Sequence, residues 1–162
     1  CMETKLLKIE IRKATPKDLD DILRLSFELS KKEHREHDKS LDIQWTYREG
    51  KKYFQRRIIK KDGFVVVAEH KGKRIGYLCG GVDKMESWRI QKRHAELENM
   101  FVEKKFRRMG IGRKLVKIFF DWCRENKVEL VSVEASFVNS EATHFYGKIG
   151  FKGYAIVLEK KL

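Results

Sequence analysis

The chain has 162 residues, 41% of them hydrophobic and 38% charged, enough for one domain with its own core, which excludes a compositionally disordered chain. No stretch approaches the roughly 18 uninterrupted apolar residues of a membrane helix, and the N-terminus lacks the apolar core of a signal peptide, so the expected location is cytoplasmic, with no membrane partner. A formal net charge of +13 favours anionic partners, whether nucleotide phosphates, nucleic acid or an acidic protein, without choosing among them.

In chain order, residues 8–12 alternate polar and apolar side chains, as a half-buried strand does. Thr15 and Pro16 then signal a helix start, with Asp18 near the positive end of its dipole, and Leu19, Ile22, Leu25 and Leu29 form one apolar stripe. Residues 31–42 are charged and interrupted. Residues 48–61 carry Tyr53, Phe54, Ile58 and Ile59 at helical spacings and predict a second, very basic helix. Apolar runs at 64–68 and 75–79 flank His70-Lys71-Gly72-Lys73 and predict a β-hairpin. A strand over 93–102, a helix over 110–125 and a strand over 128–135 follow. A helix over 139–149, stopped by Gly150, and a last strand over 154–158 complete the order.

No linker, repeat or low-complexity tract interrupts the chain, so residues 1–162 are expected to form a single domain. Late strands separated by single helices imply parallel pairing, and the early hairpin implies antiparallel pairing. The expected α/β architecture is a mixed, mostly antiparallel central sheet flanked by helices on both faces. Cys1, Cys79 and Cys123 match neither a disulfide framework nor a metal site. Cys79 and Cys123 are expected to be buried thiols. Cys1 stands before Met2, the expected natural start, and is set aside.

The segment richest in chemistry is 98–113. A strand enters a basic turn, Arg107-Arg108-Met109-Gly110-Ile111-Gly112-Arg113, and an amphipathic helix leaves it. A helix entrance offers unpaired N–H groups and a positive dipole end, and glycine admits a phosphate closely. The third glycine of a dinucleotide fingerprint is missing, and so is the Gly-Lys-Ser/Thr of a Walker A loop.

This turn resembles the Gln/Arg-x-x-Gly-x-Gly/Ala pyrophosphate motif of the GNAT superfamily of N-acetyltransferases. Residues 139–151, opening on Asn139 and closing on Phe145-Tyr146 and Gly150-Phe151, are similar to the second signature of that family. The resemblance is close over 96–151 and elsewhere covers only the order of elements. It implies the GNAT fold and acetyl transfer from acetyl-CoA to a primary amine, with no metal, by direct attack in a ternary complex. Under it, the backbone of Met100, Phe101 and Val102 would pair with the pantetheine arm and acetyl carbonyl. Arg107, Arg108, Met109, Gly110, Ile111, Gly112 and Arg113 would hold the pyrophosphate. Asn139, Ala142 and Tyr146 would line the cofactor, Asn139 being equally a good helix N-cap.

Attack requires an uncharged amine, so a base is useful. Glu96 and Glu98 share one face of the strand, and the resemblance favours Glu98 as the base, with Glu96 the alternative. The resemblance further implies that Tyr146 protonates the departing thiolate. The structural alternatives are surface neutralisation for the two glutamates and helix packing for Tyr146. The acceptor could be a peptide or protein N-terminus, a lysine or a small amine. The basic helix over 48–61 disfavours a polyamine, and a homodimer is left open. Two other classes compete: a basic nucleic-acid-binding domain and an acyl-CoA sensor without turnover. The former draws on the basic runs and on residues 152–157, which begin like an RNP1 motif but lack its aromatics at Ile156 and Glu159.

Overall fold

The computed structural model describes residues 7–162. Its sheet has five strands in sequential order: β1 (Glu10–Lys13), β2 (Gly63–His70), β3 (Lys73–Asp83), β4 (His94–Val102) and β5 (Leu130–Val133). The first four pair antiparallel and β4 pairs parallel with β5 across the crossover helix α3 (Ile111–Glu125). The expected mixed, mostly antiparallel sheet is therefore present.

Helices cover both faces, which is why β2 and β3 are apolar on consecutive residues rather than alternate ones. On one face, α1 (Leu19–Glu36) and α2 (Lys51–Ile59) bury Ile22, Leu25 and Phe54 against Val65, Val67 and Tyr77. On the other, α3 buries Ile111, Leu115, Phe119 and Trp122 against Phe64, Val66, Leu78 and Leu97. Helix α4 (Ser140–Ile149) joins this second core through Phe145, Tyr146 and Ile149. It stops at Gly150, whose φ of 109° an L-residue rarely adopts.

The hairpin between β2 and β3 turns on Lys71 and Gly72, both at positive φ, as a two-residue connection requires. Helix α1 runs through the charged segment to Glu36, further than its apolar stripe predicts. Lys31–Glu28 and Lys32–Glu36 pairs along its surface accompany the extension. Asp18 does more than neutralise a helix dipole. It is fully buried, and its carboxylate accepts from Arg12 at 2.8 Å and Arg74 at 2.7 Å, tying the start of α1 to two strands. Cys79 and Cys123 are buried free thiols, as expected, whereas Cys1 lies outside the described residues.

One expected element is missing. Residues 151–162 form no strand, and Tyr154, Ile156 and Leu158 are exposed. The apolar run at 154–158 suits a strand, but no neighbouring strand receives it among the described residues; Tyr154 stacks under the Arg89 guanidinium instead, 4.0 Å away. Without a strand, the RNP1-like run at 152–157 has no sheet on which to present bases. Among the described residues, no helix is long and apolar enough to cross a membrane, and no group of three His, Cys, Asp or Glu side chains could hold a metal.

Candidate active site

The site begins where the sheet comes apart. Strand β5 pairs with β4 only from His94 to Leu97, so the β5-side edge of residues 98–102 has no strand partner among the described residues. Free N–H and C=O groups along such an edge can bond to an extended ligand as a further strand would. Met100, Phe101 and Val102 lie on this edge and are half-buried. The side chains of Met100 and Val102 join the α3 core, and Phe101 joins the α1/α2 core.

Beyond Val102 the chain makes a short helical turn at Lys104–Phe106 and enters α3 through two residues at positive φ, Arg108 (64°) and Gly110 (77°). The first amide of the helix with an internal acceptor is that of Lys114, which donates to Gly110, so the N–H groups of Ile111, Gly112 and Arg113 remain unpaired within the helix. A methyl group at Gly110 would meet nothing within 4 Å, consistent with an open approach for an anion. Gly112 is a glycine for a different reason from the one expected. A Cβ there would lie 3.3 Å from Phe145 and 3.7 Å from Met100, so the missing side chain lets α3 pack against α4. The Ile111 side chain is buried, leaving only its backbone for a ligand, while Arg108, Met109 and Arg113 are exposed. Arg107 is fixed: its Nε donates to the Val102 carbonyl at 2.8 Å and its guanidinium lies over Phe101.

Across the opening, α4 meets the C-terminal half of α1. The Asn139 side chain caps α4 by accepting from the Ala142 N–H at 3.0 Å, and it donates to Glu33 at 3.1 Å. Asn139 thus has a structural role, and both its side-chain groups are engaged. Ala142 is half-buried one turn before Tyr146. The Tyr146 hydroxyl has no hydrogen-bond partner among the described residues, and burial, with a smaller contribution from the Glu33 charge, pushes the phenol up to about 12. The phenol therefore keeps its proton near neutral pH, and handing it to a thiolate, the weaker base, requires the site to assist the transfer.

A β-bulge in β4 separates the pairs Cys79↔Asn99 and Gly80↔Leu97, making Glu98 the extra residue. Glu98 and Asn99 consequently both reach the α2 side. The Glu98 carboxylate accepts from Arg57 Nε at 3.1 Å and, in closer contacts, from Arg57 Nη2 and the Tyr53 hydroxyl. Asn99 Nδ2 donates to the Tyr53 hydroxyl at 3.2 Å, and its Oδ1 is buried with no partner among the described residues. Cys79 Sγ lies 3.6 Å from the same hydroxyl, and burial, followed by the Glu98 charge, raises the thiol well above its ordinary range. Glu96 is half-buried, opposite Gly81 on β3 and Ser132 on β5. Burial raises its pKa first, then the charges of Glu98, Asp83 and Glu134, against the opposing influence of Arg57.

Tyr53 and Arg57 are the site residues that reasoning from sequence missed. They lie one helical turn apart on α2, and this i, i+4 spacing beside the buried Phe54 is the signal that could have placed them inward. The helix over 48–61 is very basic, as expected, but Arg57 turns inward: it is 8% exposed and paired with Glu98.

Residues 18–151 match the model of the acetyltransferase (GNAT) family. The chain belongs to that family. It is 29% identical over 154 residues to the uncharacterized N-acetyltransferase MJ1207 of Methanocaldococcus jannaschii, a match covering 91% of this chain and 62% of that protein. The chain therefore spans under two thirds of that relative's length. Streptothricin acetyltransferase A of Bacillus subtilis is 33% identical over 116 residues, covering 66% of this GNAT chain and 65% of the relative. Among solved structures, aminoglycoside N-acetyltransferase AAC(6')-Iy in complex with CoA superimposes with a TM-score of 0.75 at 15% identity, covering 99% of each chain, a likeness of fold.

Proposed function

We propose that this GNAT domain transfers the acetyl group of acetyl-CoA to a primary amine in a ternary complex. The observation that carries the reading is the break between β4 and β5, which leads an unpaired strand edge directly to the open helix entrance at Gly110. The edge at 100–102 suits the pantetheine amides and the acetyl carbonyl, and a backbone N–H there that received the developing oxyanion would contribute about 3 kcal/mol to the transition state. The amides of Ile111, Gly112 and Arg113 suit the pyrophosphate. Tyr146, half-buried on α4, would return a proton to the CoA sulfur. The CoA in the structural neighbour and the acetyltransferase names of the relatives support the same chemistry.

For the acceptor, we favour an acidic or neutral amine over a polycation. A cleft of about 380 Å³ beside Phe101 is lined by Lys31, Lys32, Arg35, Lys104 and Arg107 against only Glu28 and Glu36. Lys51, Lys52 and Arg56 add exposed charge on α2. The test is thiol release from acetyl-CoA across a panel of peptide N-termini, neutral amines, aminoglycosides and spermidine. Turnover with acidic peptides or neutral amines above that with spermidine supports the reading. A strong preference for polyamines at physiological salt contradicts the acceptor proposal.

A further inference from the structure

The two glutamates on β4 share a face but not a situation. Glu98, at the bulge, has one oxygen occupied by Arg57 and the other by both Arg57 and Tyr53, and the Glu98 and Arg57 side chains are 13% and 10% exposed. To take a proton, Glu98 would have to surrender charge-assisted bonds from a guanidinium that cannot itself lose its charge. Glu96 accepts no hydrogen bond and makes no ion pair with any described residue. The fold also makes room for the pair on Glu98: a Cβ at Gly81, directly across from Glu96, would lie 2.6 Å from Arg57 Nη1.

Resting on the acetyl-transfer reading above, we infer that Arg57 is a positioning residue that locks Glu98 as a fixed anion and leaves Glu96 as the carboxylate that deprotonates the acceptor. An N–H bond of the acceptor ammonium breaks, its electron pair stays on nitrogen, and an O–H bond forms on Glu96. The neutral amine then attacks the acetyl-CoA carbonyl, a C–N bond forms as the C–S bond breaks, Tyr146 gives its proton to the departing CoA thiolate, and the excess proton on nitrogen restores the phenol. The Glu96 proton passes to solvent. In this arrangement Glu98 acts through its charge, which faces Glu96 along the strand and favours its protonation. Asp83 at the end of β3 and Glu134 beyond β5 act in the same direction, and Arg57 from α2 opposes them. His94, two residues before Glu96, is held by Ser132 at 2.8 Å.

The test compares kcat/KM against pH for the full chain and four variants, with acetyl-CoA stabilisation of each reporting an intact fold. Glu96→Gln should lower kcat about 10²-fold near neutral pH, with recovery toward the amine pKa. Glu98→Gln should lose about tenfold or less and move the acidic limb to lower pH, because removing a like charge eases deprotonation of Glu96. Arg57→Gln should impair turnover, and Arg57→Gln/Glu98→Gln should recover to the level of Glu98→Gln, a non-additivity that a merely structural arginine would not produce.

The carboxyl 13C titration of the wild-type protein, assigned through the two glutamine variants, needs neither turnover nor a folded Arg57 variant. It should show Glu96 titrating above the ordinary carboxylate range and falling in Glu98→Gln. Loss of the acidic limb in Glu98→Gln with its retention in Glu96→Gln would overturn the inference. So would a double variant no better than Arg57→Gln, or a Glu96 resonance indifferent to Glu98. If no amine is acetylated by the wild type, the enzyme reading fails together with the proton-transfer role, while the titration still reports separately on the Arg57–Glu98 lock.

Discussion

Gly110 offers a perturbation whose size follows from the geometry, because its two effects can be separated. Its φ is 77°, and a methyl group there meets no atom within 4 Å, so Gly110→Ala introduces backbone strain without a clash. A single L-residue in the left-handed region costs about 1–2 kcal/mol, and in a domain of this size each kcal/mol lowers Tm by roughly 2–4 °C. Gly110→Ala should therefore melt about 2–8 °C lower and still bind acetyl-CoA. Gly110→Glu adds a carboxylate at the helix entrance. At about 5 Å from one phosphate charge, the repulsion is roughly 0.8 kcal/mol at the dielectric of water and about 3 kcal/mol at an effective value of 20. The pyrophosphate carries two such charges, so the loss is about 1.6–6 kcal/mol, from roughly tenfold to beyond a thousandfold in affinity. Calorimetric titration of both variants, with melting curves of the free proteins, measures each part. A folded Gly110→Glu protein with wild-type affinity would refute the placement of the pyrophosphate at this turn.

Three further outcomes follow from the buried charges and the phenol. Arg57→Met strands the Glu98 charge and should cost about 3–5 kcal/mol in urea unfolding, most of it recovered by adding Glu98→Leu; a cost below about 1 kcal/mol would show that the pair is solvated. Asp18 is held well below the usual carboxylate range, chiefly by its hydrogen bond from Arg12 and against the opposing effect of burial. Its folded value lies below its unfolded one, so its contribution is complete above about pH 4 and is lost as pH falls toward the folded value; Asp18→Asn should flatten the pH dependence of stability below pH 4, and an unchanged acid limb would contradict the hub. Tyr146→Phe should keep the ring packed yet slow turnover at every pH, with no rescue on raising pH, and wild-type turnover would reduce the residue to packing.

Periodicity carried most of the fold because each element buries one face. The order of elements, the Lys71-Gly72 hairpin, the Asn139 cap and the Gly150 stop were all legible, each fixed by local backbone chemistry. The strand expected at 154–158 failed for a reason that pattern cannot report: a strand needs a neighbour, and an apolar run says nothing about whether one is available. The turn at 107–113 could be located from its glycines, but the two differ in purpose, one open to solvent and one filled by Phe145. The carboxylate pair was visible as Glu96 and Glu98, yet their inequality was not. It depends on a one-residue bulge and on an arginine 41 positions away in sequence, both tertiary facts.

Acetyl transfer from bound acetyl-CoA to an amine is the activity that the open helix entrance and the unpaired strand edge predict for this chain. The purified protein, incubated with acetyl-CoA and the amine panel, should release CoA thiol in step with an acceptor whose mass rises by one acetyl group, and Gly110→Glu should do neither. Tight acetyl-CoA binding with no acetylated amine across the panel, at neutral pH or above, would contradict it and leave a binding protein in place of an enzyme.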